Sequence, residues 1–172
     1  MSALDLMTER YSVRSFSNRS VEKDKLERIL TTGRIAPTAC NIQPQKVIVV
    51  QSEEGLARWR RCTECHFNEQ LVLIVCYDSK RSWKRVYDGK DSGDVDASIA
   101  ATQMMLAAWE LGIGSTWIMY FIPEAVREEF CLPEGIVPVC ALSMGYAAEG
   151  AAPSAMHFKR KPLDETVVYD RF

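Results

Sequence analysis

Apolar residues recur along this chain at two spacings, and each change of spacing marks a new element. Leu4, Leu6, Met7 and Tyr11 fit a short amphipathic helix. Residues 21–34 fit a second, with Leu26, Ile29, Leu30 and Ile35 as its apolar stripe and Pro37 ending helical structure. Residues 46–50 (KVIVV) are β-branched and predict a strand, and residues 71–77 (LVLIVCY) predict a more deeply buried one, with a charged helix around 55–61 between them. Residues 78–93 are polar and glycine-containing, and predict a surface excursion.

The character changes at residues 94–111, where Val95, Ile99, Ala100, Met104, Leu106, Ala107, Ala108, Trp109 and Leu111 occupy almost every angle of a helical wheel. A helix apolar on all sides is buried on all sides, and a small domain cannot enclose it alone, so this helix is expected to pack across a dimer interface. Gly112-Ile113-Gly114 ends it, residues 115–118 are extended, residues 123–130 form a short helix with proline near its start, and residues 136–146 form a last core strand. Residues 147–158 read as a loop and residues 160–172 as an arm that docks elsewhere. Helices that precede, interrupt and follow three or four strands without regular alternation predict an α+β sandwich around a small sheet.

At 172 residues and 47% hydrophobic, the chain has the size of one domain with a sizeable core, so residues 1–172 are expected to form a single unit. A net charge of −2 offers no electrostatic reason to expect nucleic acid; basic residues cluster only locally, at Arg58, Arg60 and Arg61 and at Lys159-Arg160-Lys161. The first ten residues lack an apolar core and no run is long enough to span a bilayer, so neither a signal peptide nor a membrane is expected and the protein is placed in the cytoplasm. Six cysteines are too few for a disulfide scaffold, and Cys76, Cys131 and Cys140 read as small buried hydrophobes.

Two polar segments carry candidate chemistry. Arg10-Tyr11-Ser12-Val13-Arg14 sets two guanidiniums around a serine, which suits a phosphate; a solvated, capped helix end is the plainer reading. In Pro37-Thr38-Ala39-Cys40-Asn41-Ile42-Gln43-Pro44, Asn41 and Gln43 point the same way if the segment is extended, offering amides to a ring edge; a turn without a ligand is the alternative. Gly112-Ile113-Gly114 follows a helix instead of opening one, so it reads as a helix end and supports no dinucleotide fingerprint. Cys62-Thr63-Glu64-Cys65-His66 has the spacing of half a zinc site or a dithiol, but the second half is missing, and a pair of thiols at a helix end is the simpler reading.

The order of these motifs resembles the FMN-dependent nitroreductase family. The chain carries Arg-x-Ser-Val-Arg, Pro-Thr-x-x-Asn-x-Gln-Pro before a strand, an apolar helix ending Leu-Gly-Ile-Gly before Trp-Ile, Val-Pro-x-x-x-Leu-x-Met-Gly-Tyr, and Arg-Lys-Pro-Leu-Asp-Glu. The resemblance implies an intertwined homodimer with a small, mostly antiparallel sheet flanked by helices and FMN at the interface. It implies that Arg10, Tyr11 and Ser12, with Arg160 and Lys161, lie at the phosphate and ribityl end. Arg14 would lie by the pyrimidine edge, and Pro37, Thr38, Asn41 and Gln43 near the ring, in part from the other subunit. Met119, Tyr120 and Gly145 would lie close to the flavin. The implied activity is ping-pong reduction of nitroaromatics, quinones or similar planar small molecules by NADH or NADPH, with no side-chain acid or base required. The family usually has a small residue where this chain has Met119-Tyr120, and frequently an aromatic at Gln45. Bulk at Met119-Tyr120 motivates the alternative of a flavin-binding sensor or store.

Overall fold

The computed structural model describes residues 2–172 and arranges them around one antiparallel sheet. Its strands are β1 (Gln45–Val50), β2 (Leu71–Asp78), β3 (Gly114–Ile118) and β4 (Ile136–Gly145), in the spatial order β1-β2-β4-β3 with every adjacent pair antiparallel. The helices are α1 (Ala3–Glu9), α2 (Lys23–Arg34), α3 (Glu53–Cys62), α4 (Gly93–Glu110) and α5 (Pro123–Glu129). This is the α+β sandwich expected from the pattern.

Both faces of the sheet are covered, which is why β2 reads as an unbroken apolar run with Leu71 through Tyr77 all buried. Leu71, Leu73, Val75, Leu142 and Met144 face α2 and α4, while Val72, Ile74, Cys76 and Ala141 face α3 and α5 through Trp59 and Val126. β4 carries Pro138, which has no N–H to give the ladder; the register with β2 slips by one residue there, a bulge that accommodates it.

Caps set the helix starts. Ser2 and Asp5 exchange backbone and side-chain bonds in a capping box on α1, and Ser52 Oγ accepts from Gly55 N–H on α3. α1 stops before Tyr11, so the first helix is shorter than the apolar spacing suggested. Ile35 is 66% exposed and leaves the stripe of α2, because the chain has already turned away toward Pro37.

α4 buries Ala97, Ala100, Ala101, Met104 and Ala108 against α2 and the sheet, yet Val95 on its other side is 53% exposed and Ile99 and Leu106 are only half-buried. The protomer therefore encloses one side of this helix only. Residues 159–172 are exposed throughout, with Leu163, Val167, Val168, Tyr169 and Phe172 uncovered. Among the described residues no helix is long and apolar enough to cross a membrane.

Candidate functional site

Residues 10–14 leave α1 as an extended strap. Ser12 forms a parallel bridge with Ser115 on β3, Val13 N–H donates to Ser115 O at 3.0 Å, and Phe16 bridges Ala147 beyond β4. Gly114 and Gly145 are register partners beneath this strap. A Cβ on Gly114 would come within 2.6 Å of Val13, and one on Gly145 within 3.2 Å of Phe16. Glycine at 145 thus answers to the Phe16 ring in this protomer.

The strap turns Arg10, Tyr11, Ser12 and Arg14 toward a 3₁₀ turn at Ala155–Phe158, and with Ser154, Met156, His157 and Arg160 they line a cleft of about 200 Å³. Arg10 is half-buried, and burial, followed by the neighbouring Arg160 charge, holds its guanidinium below the usual arginine range. Arg160 leans on the Lys159 and Met156 carbonyls at 2.8 and 3.4 Å. Three guanidiniums, of Arg10, Arg14 and Arg160, share one cleft here without a carboxylate lining it, an arrangement that favours an anion. Tyr11 forms a wall: its hydroxyl donates to Ala151 O at 3.2 Å and its ring meets Trp109 edge-on at 5.3 Å. His157, which no motif singled out, packs at 6.4 Å from Tyr11 and completes the wall. Lys161 does not line the cleft and instead pairs with Glu165 at 3.4 Å.

The second segment is not extended. Ala39–Asn41 is a 3₁₀ turn, and Cys40, Asn41 and Gln43 all adopt left-handed backbone (φ 51°, 53° and 56°). Such angles cost non-glycine residues energy and persist only where the surroundings impose them. Here Gln43 N–H donates to Thr38 Oγ1 at 3.0 Å, and Ala39 N–H donates to Asp96 Oδ1 at 2.9 Å. The turn still brings the two amides together, with Gln43 Nε2 donating to Asn41 Oδ1 and O at 3.3 Å, and both side chains are exposed. Asp96, a buried acid in a largely apolar helix, is the anchor that apolar patterning passed over.

Pro37, Thr38 and Ala39 line a separate cleft of about 390 Å³ with Trp83, Val95, Asp96 and Ile99. Trp83 belongs to the 78–93 excursion, which is an ordered hairpin: Lys84 bridges Asp91, Arg85 N–H donates to Lys90 O, and Ser92 N–H donates to Trp83 O. The two clefts lie at opposite ends of α4, since Asp96 and Trp109 are separated by about 20 Å of helix at 1.5 Å per residue. One protomer does not bring the arginines and the amides together.

Met119 and Tyr120 follow β3 and are exposed; the Tyr120 carbonyl accepts from Thr63 Oγ1, and Tyr120 flanks a small cleft with Glu64, Phe121 and Ile122. Cys62 is buried and donates to Arg58 O at 3.4 Å, and burial, reinforced by Glu129, pushes its thiol up to about 11. Cys131 is exposed with φ 51°, against the expectation that it is buried; it sits in the turn after α5, outside both cores. Cys76 and Cys140 are buried, and burial raises both thiols to about 12. Among the described residues no cluster of metal-ligating side chains forms.

A model of the Nitroreductase family matches residues 7–70 and 58–146. The chain belongs to the Nitroreductase family. Within it, an Archaeoglobus fulgidus protein whose name couples NADH dehydrogenase with NAD(P)H nitroreductase is 35% identical over 150 residues, covering 83% of this chain and 84% of that protein. A solved nitroreductase family protein from Clostridium difficile 630 is 42% identical, covers all of both chains and superposes with a TM-score of 0.95. An FMN-dependent nitroreductase from Clostridium difficile R20291 is 27% identical, covers 98% of this chain and 99% of its own, and has a TM-score of 0.78.

Proposed function

We propose that this protein is an FMN-dependent NAD(P)H oxidoreductase that reduces planar acceptors such as nitroaromatics and quinones as a homodimer in the cytoplasm. The observation that carries the reading is the half-buried Arg10 beside the exposed Arg160 in a cleft without a carboxylate. At about 200 Å³ that cleft is smaller than a typical whole-ligand site, so it fits one end of an elongated cofactor, and its donors suit a phosphate. When bound, FMN supplies the hydride chemistry, taking electrons from NADH or NADPH and passing them to the acceptor.

The residues do the rest. Arg10, Ser12 and Arg160 hold the phosphate end, with Tyr11 and His157 as walls that keep it in place. Arg14 supplies a positive charge toward the pyrimidine edge, which favours the more electron-rich reduced ring. Asn41 and Gln43 of the partner subunit present their amides to that edge. A two-fold axis crossing α4 makes this arrangement economical, because antiparallel packing of the side that carries exposed Val95 and half-buried Ile99 and Leu106 sets the Asp96 end of one helix beside the Trp109 end of the other. The uncovered arm at 160–172 has apolar residues to lay on the second copy.

The test is direct. Purified protein is expected to carry FMN, bleached anaerobically by NADH or NADPH and reoxidised by a nitroaromatic or quinone. Arg10→Ala and Arg160→Ala should each weaken FMN binding about 10- to 100-fold, as expected for loss of a charge-assisted hydrogen bond. Full retention of FMN by both variants would remove the phosphate assignment. Bound flavin that NAD(P)H does not bleach would favour a flavin store.

A further inference from the structure

The carboxylate of Asp96 stands apart from everything else on α4. It is 2% exposed in the first turn of an apolar helix, and both of its oxygens are used. Oδ1 accepts from Ala39 N–H at 2.9 Å and Oδ2 accepts from Ser92 Oγ at 2.8 Å, while Asp96 N–H donates to Ser92 O at 2.9 Å. One buried side chain thus joins three pieces: the start of α4, the exit of the 83–92 hairpin and the left-handed turn that carries Asn41 and Gln43. Burying a carboxylate is expensive unless its hydrogen bonds are made, so such a group persists where it fixes a geometry. The helix N-terminus lowers that expense, since its orphan N–H groups favour negative charge.

The turn needs this anchor. Cys40, Asn41 and Gln43 hold left-handed angles that the free chain largely avoids, and each costs energy that the surroundings must offset. Within the segment, Thr38 through its hydroxyl and carbonyl, Ala39 through its carbonyl and Asn41 through its two oxygens accept hydrogen bonds that oppose that cost; the Ala39–Asp96 bond ties the turn to α4.

We propose that Asp96 is a positioning residue for the flavin ring: it holds the 37–43 turn so that the amides of Asn41 and Gln43 meet the ring edge, and thereby sets the reduction potential of bound FMN. The role rests on the flavin reading above. It differs from the role of Arg10 and Arg160, which act on affinity at the phosphate end. Amide donors at the pyrimidine edge stabilise the more electron-rich reduced ring, so loosening the turn lowers the potential.

The experiment compares FMN-loaded wild type, Asp96→Ala and Asp96→Asn by amide hydrogen exchange at Ala39 and by redox titration of the bound flavin. Asp96→Asn keeps an acceptor for Ala39 N–H and reverses the other bond, its amide N–H donating to Ser92 Oγ in place of accepting from it, so it should resemble wild type in both readouts. Asp96→Ala should exchange the Ala39 amide at least tenfold faster. It should also lose about tenfold in the affinity of reduced relative to oxidised FMN, about 30 mV downward for a two-electron couple. Loss of fold integrity alone would lower the thermal midpoint without moving that ratio. If Asp96→Ala does not fold, Ser92→Ala, which removes one of the two donors, is read in its place, with a smaller downward shift expected. Faster Ala39 exchange with an unchanged potential overturns the positioning role and leaves the flavin reading standing. Wild-type protein that binds no FMN overturns the flavin reading itself, and the positioning role with it.

Discussion

At the scale of single residues, a charged cluster shows how a few side chains tie distant parts of the chain. Tyr146 Oη donates to Glu22 Oε2 at 2.5 Å, Lys25 Nζ donates to both Tyr146 Oη and Leu111 O, and Arg19 lies 3.8 Å above the Tyr146 ring. The Tyr146 hydroxyl, followed by Arg19, holds the Glu22 carboxyl at about 2, down from an ordinary 4.5. A carboxylate depressed on folding adds stability that is complete above its unfolded value and lost as pH falls through its folded one. Glu22→Gln should therefore flatten the decline of the thermal midpoint between about pH 4.5 and pH 2 relative to wild type, while leaving FMN affinity unchanged. An unaltered acid limb would show that Glu22 contributes nothing there. This cluster was not legible in the sequence, because Glu22 and Tyr146 lie far apart and only folding sets them side by side. Arg10, Ser12 and Arg14 stood out in the sequence as a candidate anion site, because three polar groups in five positions already constrain the ligand chemistry, and the structure sets them along one cleft.

Among the elements, α4 is the most informative. Its apolar wheel announced burial on every side, and the protomer supplies burial on one: Ala97, Ala101 and Met104 are inside, and Val95 is out. An apolar helix face left to water is unfavourable at roughly 25 cal/mol per Å², which is the driving force for a second copy to cover it. If wild type sediments as the proposed dimer, Ile99→Glu should sediment as a monomer while its far-ultraviolet circular dichroism stays that of wild type, because Ile99 is only half-buried within the protomer. A variant that sediments as wild type would place the interface elsewhere. The 37–44 segment went the other way: two flanking prolines suggested an extended stretch, and the structure makes a 3₁₀ turn with three left-handed residues. Local propensity disfavours that turn; Asp96, more than fifty positions later, stabilises it.

For the whole molecule, the two clefts lie about 20 Å apart along α4. The proposed function requires that antiparallel pairing of two chains join them into one FMN site, and a subunit-mixing experiment tests that. A protomer carrying Arg10→Ala and Arg160→Ala and another carrying Asn41→Ala and Gln43→Ala should each lose FMN as homodimers. Mixed after unfolding and refolding, they should recover about a quarter of the wild-type sites, because half of the dimers are mixed and each of those has one intact site. Fluorescence titration of FMN measures this. No recovery on mixing would mean that both halves come from the same chain.

Residue order alone determined the helices and strands, the three-layer character of the fold, the family, and the two polar segments proposed to hold the cofactor, because these depend on local periodicity and on motifs a few residues long. The tertiary structure decided which groups meet. It put Arg160 and His157 beside Arg10, turned Lys161 away to Glu165, set Phe16 over Gly145 and buried Asp96 under the amide turn. Those pairings join positions separated by 57 residues or more in the case of Ala39 and Asp96, and of Arg10 and Arg160, where no local spacing rule reaches. Only the packed sheet and helices set the distances that decide them.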